Sequence, residues 1–506
     1  MKRKSVNRGK LLVLNSIISL ISQASTVICG FVLTRLILGY YGSEVNGLTS
    51  SITQFLGFIS FLEMGIGAVV KSALYKPLAE NNALEVSKII ISCRCFYQKV
   101  AIILAIYTCV LMVIFPILSR GRFSWIYTSS LVFIISISLF AQYFFGIPYQ
   151  LLLNADQRTY IPTSICCVTL IINTIISAVA MWLGASIHVV KLLASLIYIA
   201  RPIVYNIYVR KHYQLDNRIV LTEEPLKQKW NGLAQHIAYV VVNYTDIVVL
   251  TLLSTLASVS VYTVYHNVTI GVQQIISSMS VGVSAMIGNI LYSESAEETR
   301  KAFKLLEWFF HNITVLMFTI TGMLIVPFVK VFTAGISDVN YIVPTFAVLI
   351  TLAQASYSIR TPYETMVLAA NHFKQTQRSA IVEALINIIV SVCLVKYIGL
   401  SGVAIGTLLA MTYRTVYFVI YLSKNIIKYR VFDFVKLLCL DFIQIILCFG
   451  ISTVIKRNIQ VLNWYTWIIF AIEIGLACLL IVIIVNLIFN RTLIIQVVKR
   501  IHSKIS

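Results

Sequence analysis

The sequence predicts an all-α, polytopic membrane protein with about fourteen transmembrane helices. Of its 506 residues, 59% are hydrophobic and only 12% are charged, whereas roughly a quarter of the residues carry a charge in an average soluble protein. The mean hydropathy is +0.88. A chain with so few polar residues cannot cover its folded surface for contact with water, so most of that surface must face lipid.

Apolar runs fill the chain between breaks that are charged or marked by Pro or Gly. The lengths of these runs are close to the about 20 residues that a helix needs to cross a bilayer. The fourteen runs cover residues 11–34, 46–70, 90–115, 124–145, 161–183, 187–209, 232–254, 262–290, 303–329, 339–358, 379–396, 401–422, 434–455 and 463–489. The first follows the basic segment MKRKSVNRGK and is too long for the core of a signal peptide, so we interpret it as a retained helix.

Basic residues indicate the orientation of these helices. Of the 40 Lys and Arg residues, 30 lie on the side of the N-terminus and 8 lie on the opposite side. This asymmetry follows the positive-inside rule and predicts that both termini are cytoplasmic. Topology thereby accounts for the formal charge of +21. Since the basic residues do not cluster on a soluble face, we expect no nucleic-acid partner.

A weak internal repeat divides the chain. When the sequence is shifted by 214 residues, the matches include Pro148-Tyr149 with Pro362-Tyr363 and Asn173 with Asn387. The shift places the fifth apolar run on the eleventh, so the repeating unit has six helices and its two copies share one orientation, as in transporters built from parallel repeats. The predicted domains are an N-terminal lobe over 1–215, a C-terminal lobe over 216–430, and two appended helices with a cytoplasmic tail over 431–506.

Polar residues recur at steps of three and four along three of the runs, which places them on one helical face. These stripes include Asn15 and Ser22 in the first run, Asn46 and Thr53 in the second, and His266 and Gln273 in the eighth. Close packing with interhelical hydrogen bonds would explain any single stripe. The three together favour a shared water-filled cavity, to which we also assign Asn387 of the eleventh run.

Ionisable residues inside the runs are functional candidates because a charge is costly within the bilayer. Glu63, Asp246 and Glu383 are the candidate acids for ion coupling. Structural roles compete with this reading: pairing with Lys71 for Glu63, a hydrogen bond for Asp246, and compensation of the helix dipole for Glu383. For Arg414, which lies on a stripe of small residues in the twelfth run, the alternative is snorkelling to the headgroups.

The sequence lacks the motifs of enzymes. It contains no G-x-S-x-G, no P-loop and no H-E-x-x-H, and none of its ten Cys residues has the spacing of a zinc site. We therefore expect a transporter and not an enzyme, with no metal, nucleotide or prosthetic group as cofactor. Without a P-loop, uphill transport would be coupled to a proton or sodium gradient.

Short motifs cluster in two parts of the sequence. They are YGSEVNGL at 41–48, EMGIG at 63–67 and LYKPL at 74–78, then RTPY at 360–363, NHFKQTQ at 371–377 and GVAIGT at 402–407 with Arg414. In this order and spacing the chain resembles the Wzx-type polysaccharide flippases over essentially its whole length. These form the polysaccharide-transport branch of the multidrug/oligosaccharidyl-lipid/polysaccharide (MOP) exporter superfamily.

The resemblance implies a protein of the bacterial cytoplasmic membrane. Its substrate would be an oligosaccharide repeat unit on undecaprenyl diphosphate, moved to the outer leaflet by alternating access for capsule, O-antigen or a related surface polymer. The implied partners are the lipid bilayer, the glycosyltransferases that build the repeat unit and the polymerase that joins the units.

Cationic residues are the expected partners of the diphosphate, because Arg can make bidentate contacts to phosphate. Arg360, Arg378 and Arg414 are the first candidates, the first two flanking Pro362-Tyr363, and Arg35 and Lys71 are secondary candidates.

Other readings stay open within the superfamily. An ion-coupled small-molecule exporter of the MATE type or a lipid II flippase of the MurJ type would share the predicted fold. A membrane glycan polymerase or acyltransferase is disfavoured, since such enzymes need a large external loop and all the predicted external loops are short.

Overall fold

The computed structural model describes residues 8–63, 66–119, 121–216, 219, 233–293, 295–372, 374–427, 430–458, 461–491 and 493. All the regular secondary structure of these residues is helical. The predicted cytoplasmic termini and the longest predicted loop depend on residues that lie outside the described ones. These are residues 1–7, most of 217–232, and 494–506.

Fifteen α-helices occur in the described part of the chain. They are α1 (Arg8–Gly57), α2 (Ile66–Ala79), α3 (Ala83–Leu118), α4 (Trp125–Ala141), α5 (Ile147–Ala155), α6 (Tyr160–Trp182), α7 (Ile187–His212), α8 (Leu233–Leu253), α9 (Leu256–Ser293), α10 (Ala296–Phe332), α11 (Pro344–Ala369), α12 (Gln377–Ile398), α13 (Leu400–Asn425), α14 (Val431–Asn458) and α15 (Trp464–Phe489). Several begin at a side chain that accepts a hydrogen bond from a first-turn N–H. These capping residues are Asn82, Ser124, Ser295 and Asn463.

The helices have the length and surface of membrane spans. Ten stretches of the described residues are long and apolar enough to cross a bilayer, and each of the fourteen predicted runs overlaps a helix. Large apolar side chains point outward, such as Leu480 and Ile488 on α15, which are 59% and 67% exposed. Water-soluble proteins rarely expose extensive apolar surface. The predicted all-α polytopic membrane fold is therefore confirmed.

The first predicted break is present in the structure. Runs 11–34 and 46–70 are separate helices on either side of Gly42, whose φ of 82° and ψ of 176° are not helical and favour glycine, and α1 denotes both of them. The chain then tightens into a 3₁₀ segment, Phe58–Glu63. Glu63, expected inside the second helix, therefore lies at a break between α1 and α2.

The predicted run 339–358 was too short at its C-terminal end. Helix α11 continues to Ala369 and passes through Pro362, although a proline removes one helical hydrogen bond. Arg360 and Glu364 form an ion pair one turn apart, with Nε and Oε2 separated by 3.2 Å, and this pair bridges the proline. Arg360 consequently lies inside a helix and is buried, whereas the sequence placed it in a connecting segment.

The described helices pack into two compact units, Met1–Ser260 and Val261–Ser506. The core of the first unit includes the fully buried side chains of Leu48, Leu74 and Leu104. In the second unit, Phe303 and Phe418 are part of a core cluster at one end of α10, α11, α13 and α14. The predicted domain boundaries at residues 215 and 430 stay predictions.

The asparagines matched by the sequence repeat occupy corresponding places in the two units. In the first unit, Asn173 on α6 donates to Tyr198 Oη on α7 at 3.0 Å. In the second unit, Asn387 on α12 donates to Thr407 Oγ1 on α13 at 3.1 Å. Each therefore joins its helix to the next helix along the chain, which gives this pair of repeated residues a packing role.

Small residues bring α12 and α13 close together. A Cβ atom added to Gly402 would lie 2.6 Å from the carbonyl carbon of Leu394 and 2.7 Å from its oxygen, so the backbone would have to move. We expect Gly402→Ala to lower the free energy of unfolding by about 1–3 kcal/mol through overpacking. The measurement is the midpoint of thermal unfolding in detergent.

The control for this substitution is Gly450→Ala in α14, where an added Cβ meets no atom within 4 Å. Its midpoint should match that of the wild type. Equal midpoints for both variants would contradict the close packing of α12 against α13.

Candidate functional site

Four charged side chains meet inside the second unit. Arg360 of α11 and Arg414 of α13 each donate through Nη1 to one oxygen of Glu383 on α12, both at 2.7 Å. Glu364 lies 3.2 Å from Arg360 Nε, and its other oxygen lies 4.0 Å from Arg414 Nη2. Two cations and two anions thus form one cluster that joins three helices.

The cluster is buried and balanced. Arg360 and Arg414 are each 4% exposed and Glu383 is 3% exposed. An uncompensated charge in such a place would cost several kcal/mol, and here two guanidinium groups face two carboxylates. The carboxylate of Glu364 is the most accessible member, with its side chain 24% exposed. The cluster can therefore be approached from the side of Glu364.

Aromatic faces cover the two guanidinium groups. The Arg360 Cζ atom lies 4.3 Å from the ring centroid of Tyr357, and the Arg414 Cζ atom lies 5.1 Å from that of Phe418. Cation–π attraction at these distances stabilises a desolvated cation and restricts its orientation. Both guanidinium planes are in this way held toward Glu383.

The local sequence explains why the cluster forms. Arg360 and Glu364 are four residues apart and so share one face of α11. On α13, Gly406 packs against α12 so closely that an added Cβ would lie 3.0 Å from the Asn387 carbonyl oxygen. This approach lets Arg414, two turns further along α13, reach Glu383 on α12.

This arrangement presents hydrogen-bond donors for an anion. Two arginines that each donate to one oxygen of the same carboxylate offer the donors that phosphate oxygens would also need. Another anion could use these donors in exchange for Glu383.

Other predicted residues of the second unit lie apart from the four charges. Arg378 lies exposed on the first turn of α12. On α9, Gln273 donates to Ser277 Oγ at 2.8 Å, and His266 stacks on the ring of Tyr262 with centroids 5.2 Å apart. For Gln273 and His266 these contacts lie within their own helix.

Three predicted residues of the first unit lie on α1 and α8. Asn46 is buried and donates to Ser260 Oγ at 2.8 Å. Asp246 is buried in the middle of α8, 3% exposed. Thr53, by contrast, is exposed on α1 and bonds to a carbonyl of its own helix.

Further predicted residues of the first unit lie elsewhere. Asn15 has a structural contact, since its side chain accepts from the Tyr160 N–H at the start of α6 and donates to the Gln157 carbonyl. Glu63 accepts a hydrogen bond from Tyr143 Oη. Ser22 and Arg35 on α1 and Lys71 on α2 are half-buried.

Of the fifteen predicted site residues, the structure brings Arg360, Glu383 and Arg414 into one charged cluster. It also adds Glu364, which the sequence reasoning missed. The spacing of four from Arg360 was a signal in the sequence, but the apolar run that predicts this helix ends at residue 358, before both residues.

Comparisons with known proteins address the fold. No protein-family model matches the sequence, and no curated protein matches it either. Among solved structures, the lipid II flippase MurJ in an inward closed conformation is similar over 95% of this chain and 100% of that chain, with a TM-score of 0.70 and 18% identity. An inward-facing multidrug resistance MATE transporter of the MOP superfamily is similar over 80% of this chain and 97% of that chain, with a TM-score of 0.57 and 14% identity.

The Vibrio cholerae MATE transporter VcmN in its bent form is also similar, over 82% of this chain and 97% of that chain, with a TM-score of 0.56 and 11% identity. The chain has the fold of these MurJ and MATE structures. At these identities the fold alone is what the likeness shows, and the cargo depends on the residues of the site.

A buried charge that loses its partner is strongly destabilising. We expect Glu383→Gln to lower the free energy of unfolding by about 3–5 kcal/mol, because Arg360 and Arg414 lose the carboxylate that both of them contact. Thermal unfolding in detergent at neutral pH measures this.

The matched control is Glu297→Gln, which removes an exposed carboxylate paired with Lys301 and should leave the unfolding midpoint unchanged. If both glutamine variants unfold at the temperature of the wild type, the cluster does not hold the three helices together.

Proposed function

We propose that this protein is a flippase for lipid-linked oligosaccharides. It moves repeat units on undecaprenyl diphosphate across the bacterial cytoplasmic membrane by alternating access, for the synthesis of a surface polysaccharide. Both termini are cytoplasmic in this proposal. The protein acts between the glycosyltransferases that assemble the repeat unit and the polymerase that joins the units.

The convergence of Arg360 and Arg414 on Glu383 is the observation that carries this proposal. A diphosphate entering a low-dielectric site needs more than one fixed cation, and two arginines provide planar sets of donors for its oxygens. The distance of 2.7 Å from each guanidinium to Glu383 supports a role for both in binding one shared anion. In the absence of cargo, Glu383 is that anion.

Exchange between Glu383 and the diphosphate would couple transport to an ion. In this proposal, phosphate oxygens replace Glu383 as the partners of the two arginines. Glu383 is then a buried carboxylate without its cations, and it binds a proton and becomes neutral. Glu383 is therefore our first choice for the coupling acid, with Asp246 and Glu63 as the alternatives. Arg378, Arg35 and Lys71 stay secondary candidates for attracting the headgroup.

The likeness to MurJ supports a lipid-linked cargo. The structural match extends over 95% of this chain and all of the other, and that protein is named a lipid II flippase. Lipid II is consequently the second candidate cargo. The MATE transporters match with lower TM-scores, between 0.51 and 0.57, and a MATE-type exporter of small molecules is the third reading.

Deletion of the gene tests the proposal directly. Mass analysis of polyprenyl-linked glycans, together with measurement of surface polymer, should show complete repeat units accumulating on the cytoplasmic face while the polymer is lost. Accumulation of lipid II would favour the second candidate. Unchanged glycans with increased sensitivity to drugs would refute a flippase and favour a MATE-type exporter.

Variants of the arginines test the binding site. Arg414→Gln and Arg360→Gln should lower polymer export at least about tenfold when they replace the wild type in the deletion strain, because a charge-assisted contact to the diphosphate is lost. Surface polymer is measured at matched amounts of protein in the membrane. Arg210→Gln, at the exposed end of α7, is the control and should export normally.

Normal export by either cluster variant at wild-type abundance would remove that arginine from the binding site.

A further inference from the structure

A second buried network of ionisable groups lies at α10, α11 and α14. His311 Nδ1 on α10 lies 2.6 Å from Asp441 Oδ2 on α14, and His311 Nε2 lies 3.3 Å from Tyr363 Oη on α11. The Tyr363 hydroxyl in turn donates to Glu307 Oε1 on α10 at 2.5 Å. The network links the core helices of the second unit to α14, one of the two helices that the repeat leaves as an appendage.

The network is shielded from water. His311 and Tyr363 are 0% exposed, Glu307 is 1% exposed and Asp441 is 5% exposed. The ring of Phe434 packs edge-on against both His311 and Tyr363, with centroids 5.8 Å and 5.7 Å apart. Hydrogen bonds in such a place are strong when satisfied and costly when broken.

Several charged groups of the surrounding helices pair with one another. Lys304 of α10 pairs with Asp433 of α14 at 2.8 Å, toward the exposed ends of both helices. On α11, Arg360 and Glu364 belong to the cluster with Glu383 and Arg414. From α15, the uncharged Asn486 meets Trp308, one turn before His311. The groups that face the imidazole are therefore Glu307, Tyr363 and Asp441.

The hydrogen-bond directions define the protonation of His311. A carboxylate only accepts, so the Asp441 contact requires a proton on Nδ1. Because the Tyr363 hydroxyl gives its proton to Glu307, its oxygen can only accept from His311, which requires a proton on Nε2 as well. With Asp441 and Glu307 both ionised, these contacts are those of an imidazolium. Loss of one proton would remove one of the three hydrogen bonds of the network.

We propose that His311 is a proton-binding site that acts on the transport cycle, an inference that rests on the proposed function for its link to transport. With the proton bound, His311 holds α14 and α11 to α10. Without it, one of the hydrogen bonds that join these helices is lost. Histidine suits such a switch, since it can change charge near neutral pH.

Helix α11 carries the effect to the arginine cluster. Tyr363 lies directly between Pro362 and Glu364 and three residues from Arg360, so both networks share one turn of the helix. The proline leaves that turn with one backbone hydrogen bond fewer than the rest of α11. A change in the contacts of Tyr363 therefore acts where the helix is weakest and where Arg360 meets Glu383.

Nitrogen-15 NMR of histidine-labelled protein in lipid nanodiscs tests proton binding without reference to any cargo. We expect the ring whose signal is missing in His311→Gln to change from the doubly to the singly protonated form between pH 5 and pH 9. His188→Gln, which changes a half-buried histidine of α7, is the matched control and should leave that signal in place. A His311 ring that keeps one protonation state from pH 5 to pH 9 overturns the proposal.

Two further variants cover the case in which His311→Gln does not fold. Asp441→Asn removes the carboxylate and should move the pH at which the His311 ring changes its protonation by about one unit or more. Tyr363→Phe removes only the hydroxyl and should also move that pH. If the His311 ring changes its protonation at the wild-type pH in both variants, the network is contradicted.

Polymer export at pH 6 and pH 8 tests the link to transport. In Tyr363→Phe the ratio of the two rates should differ from that of the wild type, because α11 loses its hydrogen bond to His311. An unchanged ratio overturns the role in the cycle. If His311 titrates in the purified protein but deletion of the gene leaves the glycans unchanged, the proton site is retained and only the proposed function is refuted.

Discussion

The pairing of two buried arginines with one glutamate is the interaction on which the second unit depends. Neither Arg360 nor Arg414 can lose its charge, and a bilayer cannot solvate it, so each must have an anionic partner within reach. Glu383 provides one oxygen to each. The positions of α11, α12 and α13 are consequently linked, because none of the three can move away without breaking a charged hydrogen bond to Glu383.

Close packing is the condition for that pairing. Membrane helices gain little from the hydrophobic effect when they associate, so close packing at small residues and interhelical hydrogen bonds provide much of the stabilisation. Gly402 and Gly406 allow the backbones of α12 and α13 to approach. Asn387 then reaches Thr407 across the interface. The same small residues that stabilise the helix pair bring Arg414 to the depth of Glu383.

Two polar networks on one helix suggest how a rigid packing arrangement can still have more than one state. Helix α11 carries Arg360 and Glu364 for one network and Tyr363 for the other, all within two residues of Pro362. Alternating access requires elements with two discrete arrangements rather than gradual deformation. In the proposed cycle, a turn that lacks one backbone hydrogen bond and is held by ionisable side chains would meet that requirement.

The sequence by itself determined the solvent of the chain, the helical class, and the approximate position of each helix, because length and apolar composition are local properties of a segment. It also singled out Arg360, Glu383 and Arg414 as costly intramembrane charges. Only the tertiary structure decided that these three meet, that Glu364 completes their charge balance, and that His311 contacts Asp441 130 residues away. These contacts join residues on different helices. Their geometry depends on how glycines, a proline and a kink at Gly42 set the packing, which no single segment encodes.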